Sequence, residues 1–180
     1  DTEVTKGLGN VSAIAPGVMA QTGMEGREII SGIIKSTAPE VLIVIDALAA
    51  RSTKRLNRTI QLTDTGIHPG AGVGNYRNEL TKDTLGIPVI AIGIPTVIDA
   101  ATIVSDTMTG MLHVLENQKK LHEIYDAVKD FDEQEKYYLM RELMEPSMAD
   151  MFVTPKDIDE TIGRISYTVS EAINSLCHAV

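Results

Sequence analysis

Asp46 follows five apolar residues, Val41-Leu42-Ile43-Val44-Ile45. A carboxylate there costs free energy unless it is paired, hydrogen-bonded or protonated. Two readings compete: Asp46 caps a following helix by accepting backbone N–H groups, or it is an acid/base group whose pKa is raised by partial burial. The second cluster is the loop Gly66-Ile67-His68-Pro69-Gly70-Ala71-Gly72-Val73-Gly74-Asn75. Its spacing is neither G-x-G-x-x-G nor G-x-x-x-x-G-K-[ST], so a nucleotide cradle is not expected. Gly70, Gly72 and Gly74 instead permit positive φ, or let another backbone approach closely, as an extended peptide substrate does. His68 is either a structural loop residue or a proton carrier near neutral pH. Asp64 begins a turn with Thr65-Gly66 or serves as a further site carboxylate, and Asp99 caps a helix or does the same. Arg51 pairs with a carboxylate or holds a substrate acid. The four His residues show no metal-ligand spacing, so no metal and no other cofactor is expected. The single cysteine, Cys177, has no nucleophile signature around it and cannot form an intramolecular disulfide.

The elements that must position these residues follow from periodicity. Val11–Val18 reads as a strand ended by Pro16-Gly17. Thr22 and Glu25 resemble a capping box ahead of a helix over 28–36, closed by Pro39. Val41–Ile45 is a β-branched run expected to be covered on both faces, and 88–95 is a second buried strand. Thr59–Thr63 alternates like an edge strand. Helices are expected over 99–115 and 132–144, and from Thr154, a cap, with Pro155 in the first turn, to about Leu176. This order predicts an α/β fold, a three-layer sandwich with a largely parallel sheet. Ligands of such sheets bind beyond the carboxyl ends of the strands. That rule puts Asp46, the loop 64–75 and Pro95–Asp99 on one crevice rim.

Bulk composition excludes several classes. With 180 residues, 43% hydrophobic and 23% charged, the chain suits one globular domain. Aromatics make up 4%, so Ile, Val, Leu, Ala and Met must build the core. A net charge of −9 repels phosphate backbones, so no direct nucleic-acid binding is expected, while a basic protein partner fits. No apolar run reaches the ~20 residues of a membrane helix, and a cytoplasmic location is expected.

Several long stretches resemble the germination protease family of spore-forming bacteria, in that family's order. They are Pro16-Gly17-Val18-Met19-Ala20-Gln21-Thr22-Gly23-Met24-Glu25, Ile45-Asp46-Ala47-Leu48-Ala49-Ala50-Arg51-Ser52, the loop 64–75, residues 84–100 and Val153-Thr154-Pro155-Lys156. The resemblance implies an endopeptidase that degrades small acid-soluble spore proteins during germination. It further implies an atypical aspartic-type peptidase, made as a zymogen, tetrameric, acting in the spore interior, with a fold similar to hydrogenase maturation endopeptidases. Two family aspartates are implied to carry the reaction, and one matches Asp46. The other belongs to an upstream Pro-Asp-x-Leu-Gly-Pro stretch that residues 1–15 do not contain, so the match implies a single α/β peptidase domain over 1–180 lacking its N-terminal part. Two other readings stand beside this one: a metal-dependent endopeptidase of the hydrogenase-maturation type, and an inactive binding or assembly domain.

Overall fold

The computed structural model of the chain describes residues 10–17, 19–70, 78–116 and 122–177. It divides into two compact units, Glu40–Pro155 and a smaller one formed by Asp1–Pro39 with Lys156–Val180.

The larger unit is built around one strand, β3 (Val89–Asp99), which is buried along most of its length, with Ile98 at 0% exposure. β1 (Leu42–Ala50) runs parallel to it along one edge, pairing from Leu42↔Val89 to Ala50↔Ile98. Because β1 occupies that whole edge, the two short antiparallel strands share the other: β2 (Gln61–Thr63) against Ala91–Gly93 and β4 (Phe152–Val153) against Ile98–Asp99. Among the described residues the sheet has four strands and is mixed, with one parallel and two antiparallel pairs, rather than largely parallel.

Pro95 explains an irregularity in this sheet. The β1–β3 register shifts between Leu48 and Ala49, so Thr96 has no partner on β1. A proline in a central strand cannot donate to the ladder and is tolerated at such a bulge. The freed carbonyls are met elsewhere: Pro95 O accepts from Asn57 N at 2.8 Å and Thr96 O from Thr154 Oγ1 at 2.9 Å. Thr154 is thus tied to the sheet and does not cap the last helix.

Helices α3 (Lys82–Leu85), α4 (Ala100–Leu115), α5 (His122–Val128), α6 (Glu133–Leu143) and α7 (Pro146–Ala149) complete this unit. α4 packs against β3 and α6, burying Ala101, Met108, Leu112 and Leu115 at the spacing of one helical face. α6 opens with a capping box: Asp132 Oδ1 accepts from Gln134 N and Glu135 N, and Glu135 Oε2 accepts from Asp132 N at 2.9 Å.

Two expectations about β1 are corrected. The strand runs on past Asp46 for four residues, so no helix follows Asp46 for it to cap. Nor is the strand covered on both faces, since Ile45 is 52% exposed; both-face burial belongs to β3, the strand with neighbours on either side. Among the described residues β1 pairs along one edge alone.

The smaller unit holds α1 (Met19–Thr22), α2 (Gly26–Thr37) and α8 (Ile158–Cys177). Residues 11–17 form no strand, and Val18 lies outside the described residues. Val11 and Ile14 are exposed and Gly17 turns the chain at φ 74°, so the apolar run finds no ladder partner. Thr22 does not form a capping box with Glu25. Its hydroxyl closes a local turn, donating to Met24 O at 3.1 Å and accepting from Met24 N at 3.2 Å. α2 ends at Ala38, in the left-handed region directly before Pro39. α8 starts after Asp157, whose carbonyl accepts from Thr161 N at 3.0 Å. Among the described residues no helix is long and apolar enough to cross a membrane.

Candidate active site

Asp46 sits at the middle of β1, half-buried, with Oδ1 accepting from Ala47 N at 2.9 Å. Register places it beside Gly93, and Gly93 beside Gln61. Residues directly opposite in a ladder project from the same face, so Asp46 and Gln61 flank a backbone without a side chain, about 10 Å apart over two strand spacings. The Leu48 side chain lies over Gly93, with Cδ1 where a Cβ would stand. Gln61 was not among the residues singled out from sequence; the alternation of β2 carried no sign that its polar residue stood level with Asp46.

The other singled-out residues separate into two groups. β2 is antiparallel to β3, so the chain leaving it travels toward the amino end of β3. Asp64, His68 and Gly70 therefore lie toward that end, not on a common rim with Asp99. Asp64 is exposed in a bend where Thr65 N donates to Thr63 Oγ1 at 3.1 Å. Ile67 and Leu80 form an antiparallel bridge that pinches the loop at its base. Gly66 makes this possible: its φ is 89°, and a Cβ would collide with the Leu80 carbonyl oxygen. Beyond the bridge, exposed His68 has Nδ1 3.4 Å from Glu79 Oε1, and Gly70 adopts the expected positive φ, 79°. Gly72 and Gly74 lie outside the described residues.

Asp99 and Arg51 belong to the carboxyl end. Asp99 is the N-cap of α4, with Oδ1 accepting from Thr102 N at 2.8 Å and Oδ2 from Thr102 Oγ1 at 2.7 Å. It lies six residues beyond Gly93, about 20 Å along the strand, too far to share a proton with Asp46. Arg51 directly follows β1 and lines a cavity of about 290 Å³ with Ser105, Asp106 and Tyr137. Asp106 was also not singled out. Its Oδ2 accepts from Ser52 Oγ at 3.0 Å, Thr53 N at 2.7 Å and Thr53 Oγ1 at 2.6 Å, and so fixes the turn after β1. Its position two helical turns after the Asp99 cap was the available signal. At the cavity wall, the Tyr137 hydroxyl accepts from Arg141 Nη1 at 3.3 Å and, with Asp150 adding, holds that guanidinium above its usual range. No group of three or more His, Cys, Asp or Glu that could hold a metal ion occurs among the described residues.

These features define an α/β protein whose half-exposed strand carries a carboxylate level with a glycine. The family profile described as Germination protease matches residues 1–122. Curated relatives bearing that name include those of Clostridium tetani, 44% identical over 173 residues (96% of this chain, 54% of the relative), and Clostridium perfringens, 46% identical over 165 residues (91% and 51%). A third, from Bacillus velezensis, is 42% identical over 206 residues (97% and 56%). The chain belongs to the germination protease family, and it spans about half the length of the curated relatives it matches.

Proposed function

We propose that the protein is an endopeptidase that degrades small acid-soluble spore proteins during germination, in the spore interior, by an aspartic-type mechanism centred on Asp46. The observation that supports this most is the placement of Asp46, half-buried, on a half-exposed strand that pairs along one edge alone among the described residues. In this reading Asp46 takes a proton from a water as it attacks the scissile carbonyl, and a second acid polarises that carbonyl and protonates the leaving amine. Asp99 is engaged as a helix cap and lies about 20 Å away along the strand, too far to be that second acid. The family resemblance supports an upstream aspartate in that role. The same resemblance supports a zymogen, a tetramer, a three-layer sandwich like that of hydrogenase maturation endopeptidases, and a single peptidase domain over 1–180 whose N-terminal part precedes it.

The test is intact-mass analysis of a purified small acid-soluble spore protein after incubation with the 180-residue chain, and with a form extended to the length of the relatives. Discrete fragments from the extended form, and slower release per mole by the 180-residue chain, are expected. An uncut substrate would overturn the peptidase reading. Equal rates would overturn the need for an upstream acid.

A further inference from the structure

The fold leaves one polar side chain of β2 unused. Thr63 shares a 2.7 Å hydroxyl contact with Thr65. The half-buried Gln61 carboxamide has no hydrogen-bond partner among the described residues. Its polar atoms are not sealed away from solvent, so its N–H donors are open to an incoming group. The pairing register sets Gln61 level with Asp46 on one face of the sheet, about 10 Å away over two strand spacings. Leu48 fills the space over Gly93 between them, so the strip joining the two polar groups has a hydrocarbon floor.

That separation matches the reach of a hydrolytic encounter. A base accepts from the attacking water at about 2.8 Å, and the water oxygen waits about 3–3.5 Å from the carbonyl carbon. The C=O bond adds about 1.2 Å, and a donor meets its oxygen at about 2.9 Å. Base, water, carbonyl and donor together span about 10 Å when straight and somewhat less when bent. Carbonyls of an extended chain stand across its direction, so a carbonyl aimed from β1 toward β2 lays the peptide along the strands.

We infer that the Gln61 carboxamide is an oxyanion donor in the peptidase reaction, holding the scissile carbonyl oxygen while Asp46 activates water on the other side. The inference rests on the peptidase reading for Asp46 and deepens it. The water oxygen bonds to the carbonyl carbon as Asp46 takes one water proton, and the C=O π pair moves onto oxygen. Gln61 donates an N–H to that oxyanion over an apolar floor, where a donor is worth more than in water. The pair then returns to re-form C=O, the C–N bond breaks, and the amine leaves with the bonding pair and a proton from the second acid. Solvent exchange removes the water proton from Asp46 and reprotonates the second acid. A carboxamide has no titrating proton, so Gln61 takes no part in that balance.

The experiment uses the protein in the form extended to the length of the relatives, with a purified small acid-soluble spore protein as substrate. Gln61→Met keeps the length of the side chain and removes the donors, and circular dichroism checks its fold. Its kcat is expected to fall about a hundredfold or more, the scale of one lost oxyanion donor, with KM within about threefold of wild type. Gln61→Glu puts a carboxylate across from Asp46, and a like charge disfavours ionised Asp46. The acidic limb of its kcat/KM profile is therefore expected to move to higher pH, while that of Gln61→Met stays in place. A folded Gln61→Met protein with wild-type kcat, or a loss confined to KM, overturns the oxyanion role and leaves the peptidase reading standing. An unmoved acidic limb in Gln61→Glu overturns the placement of Gln61 opposite Asp46 in the reaction. An extended wild type that leaves the substrate uncut overturns the peptidase reading, and the role of Gln61 with it.

Discussion

Asp46 and Asp99 looked alike as carboxylates after apolar strands, yet the structure gives them different employment. Asp99 satisfies the first turn of α4 with both oxygens. Asp99→Ala is expected to cost about 1 kcal/mol of stability, the usual worth of a helix cap, while Asp99→Asn retains most of it. Urea denaturation of the intact protein checks both, and an Ala variant as stable as wild type would contradict the cap. This role was legible, because a strand run followed by Asp and then an amphipathic helix is a local pattern. The surroundings of Asp46 were not. Its neighbours Gly93 and Gln61 come from strands 47 and 15 positions later in the sequence, and only the pairing register brings them level. The partners of Asp106 were illegible for the same reason, since its three donors lie more than 50 residues upstream.

At the scale of elements, long periodic segments were readable and short ones were not. α4 and α6 fall within a residue of their expected bounds, because each has an N-cap carboxylate. The antiparallel direction of β2 was hidden, because three residues carry no directional signal. That direction decides the site: it sends Asp64 and His68 away from Asp99 and Arg51. The bridge Ile67–Leu80 then closes the glycine-rich loop, and it depends on Gly66 at φ 89°. Gly66→Ala combines a strained backbone with a collision against a carbonyl, and is expected to destabilise the unit by about 1–3 kcal/mol. Hydrogen exchange of the Ile67 and Leu80 amides, which donate across the bridge at 3.0 and 2.9 Å, should quicken first. Unchanged protection of both amides in Gly66→Ala would show that the bridge does not need glycine there.

At the scale of the molecule, one feature is central: a carboxylate held halfway along a half-exposed strand. The family match covers the strand, the loop and all of α4 alike, so it does not by itself single out Asp46. What does so is half-burial on a strand that pairs along one edge alone among the described residues; Asp64 is exposed in a bend and Asp99 is engaged as a helix cap. The most direct test is therefore turnover of a small acid-soluble spore protein by the intact protein carrying Asp46→Asn, which keeps the shape and the acceptor for Ala47 N but removes the ionisable group. Circular dichroism confirms the fold of the variant, and Asp64→Asn serves as the exposed-carboxylate comparison. The account predicts that kcat falls by at least about a hundredfold in Asp46→Asn, the scale of a lost general base, and stays within about twofold in Asp64→Asn. A folded Asp46→Asn protein that cleaves at the wild-type rate would contradict it.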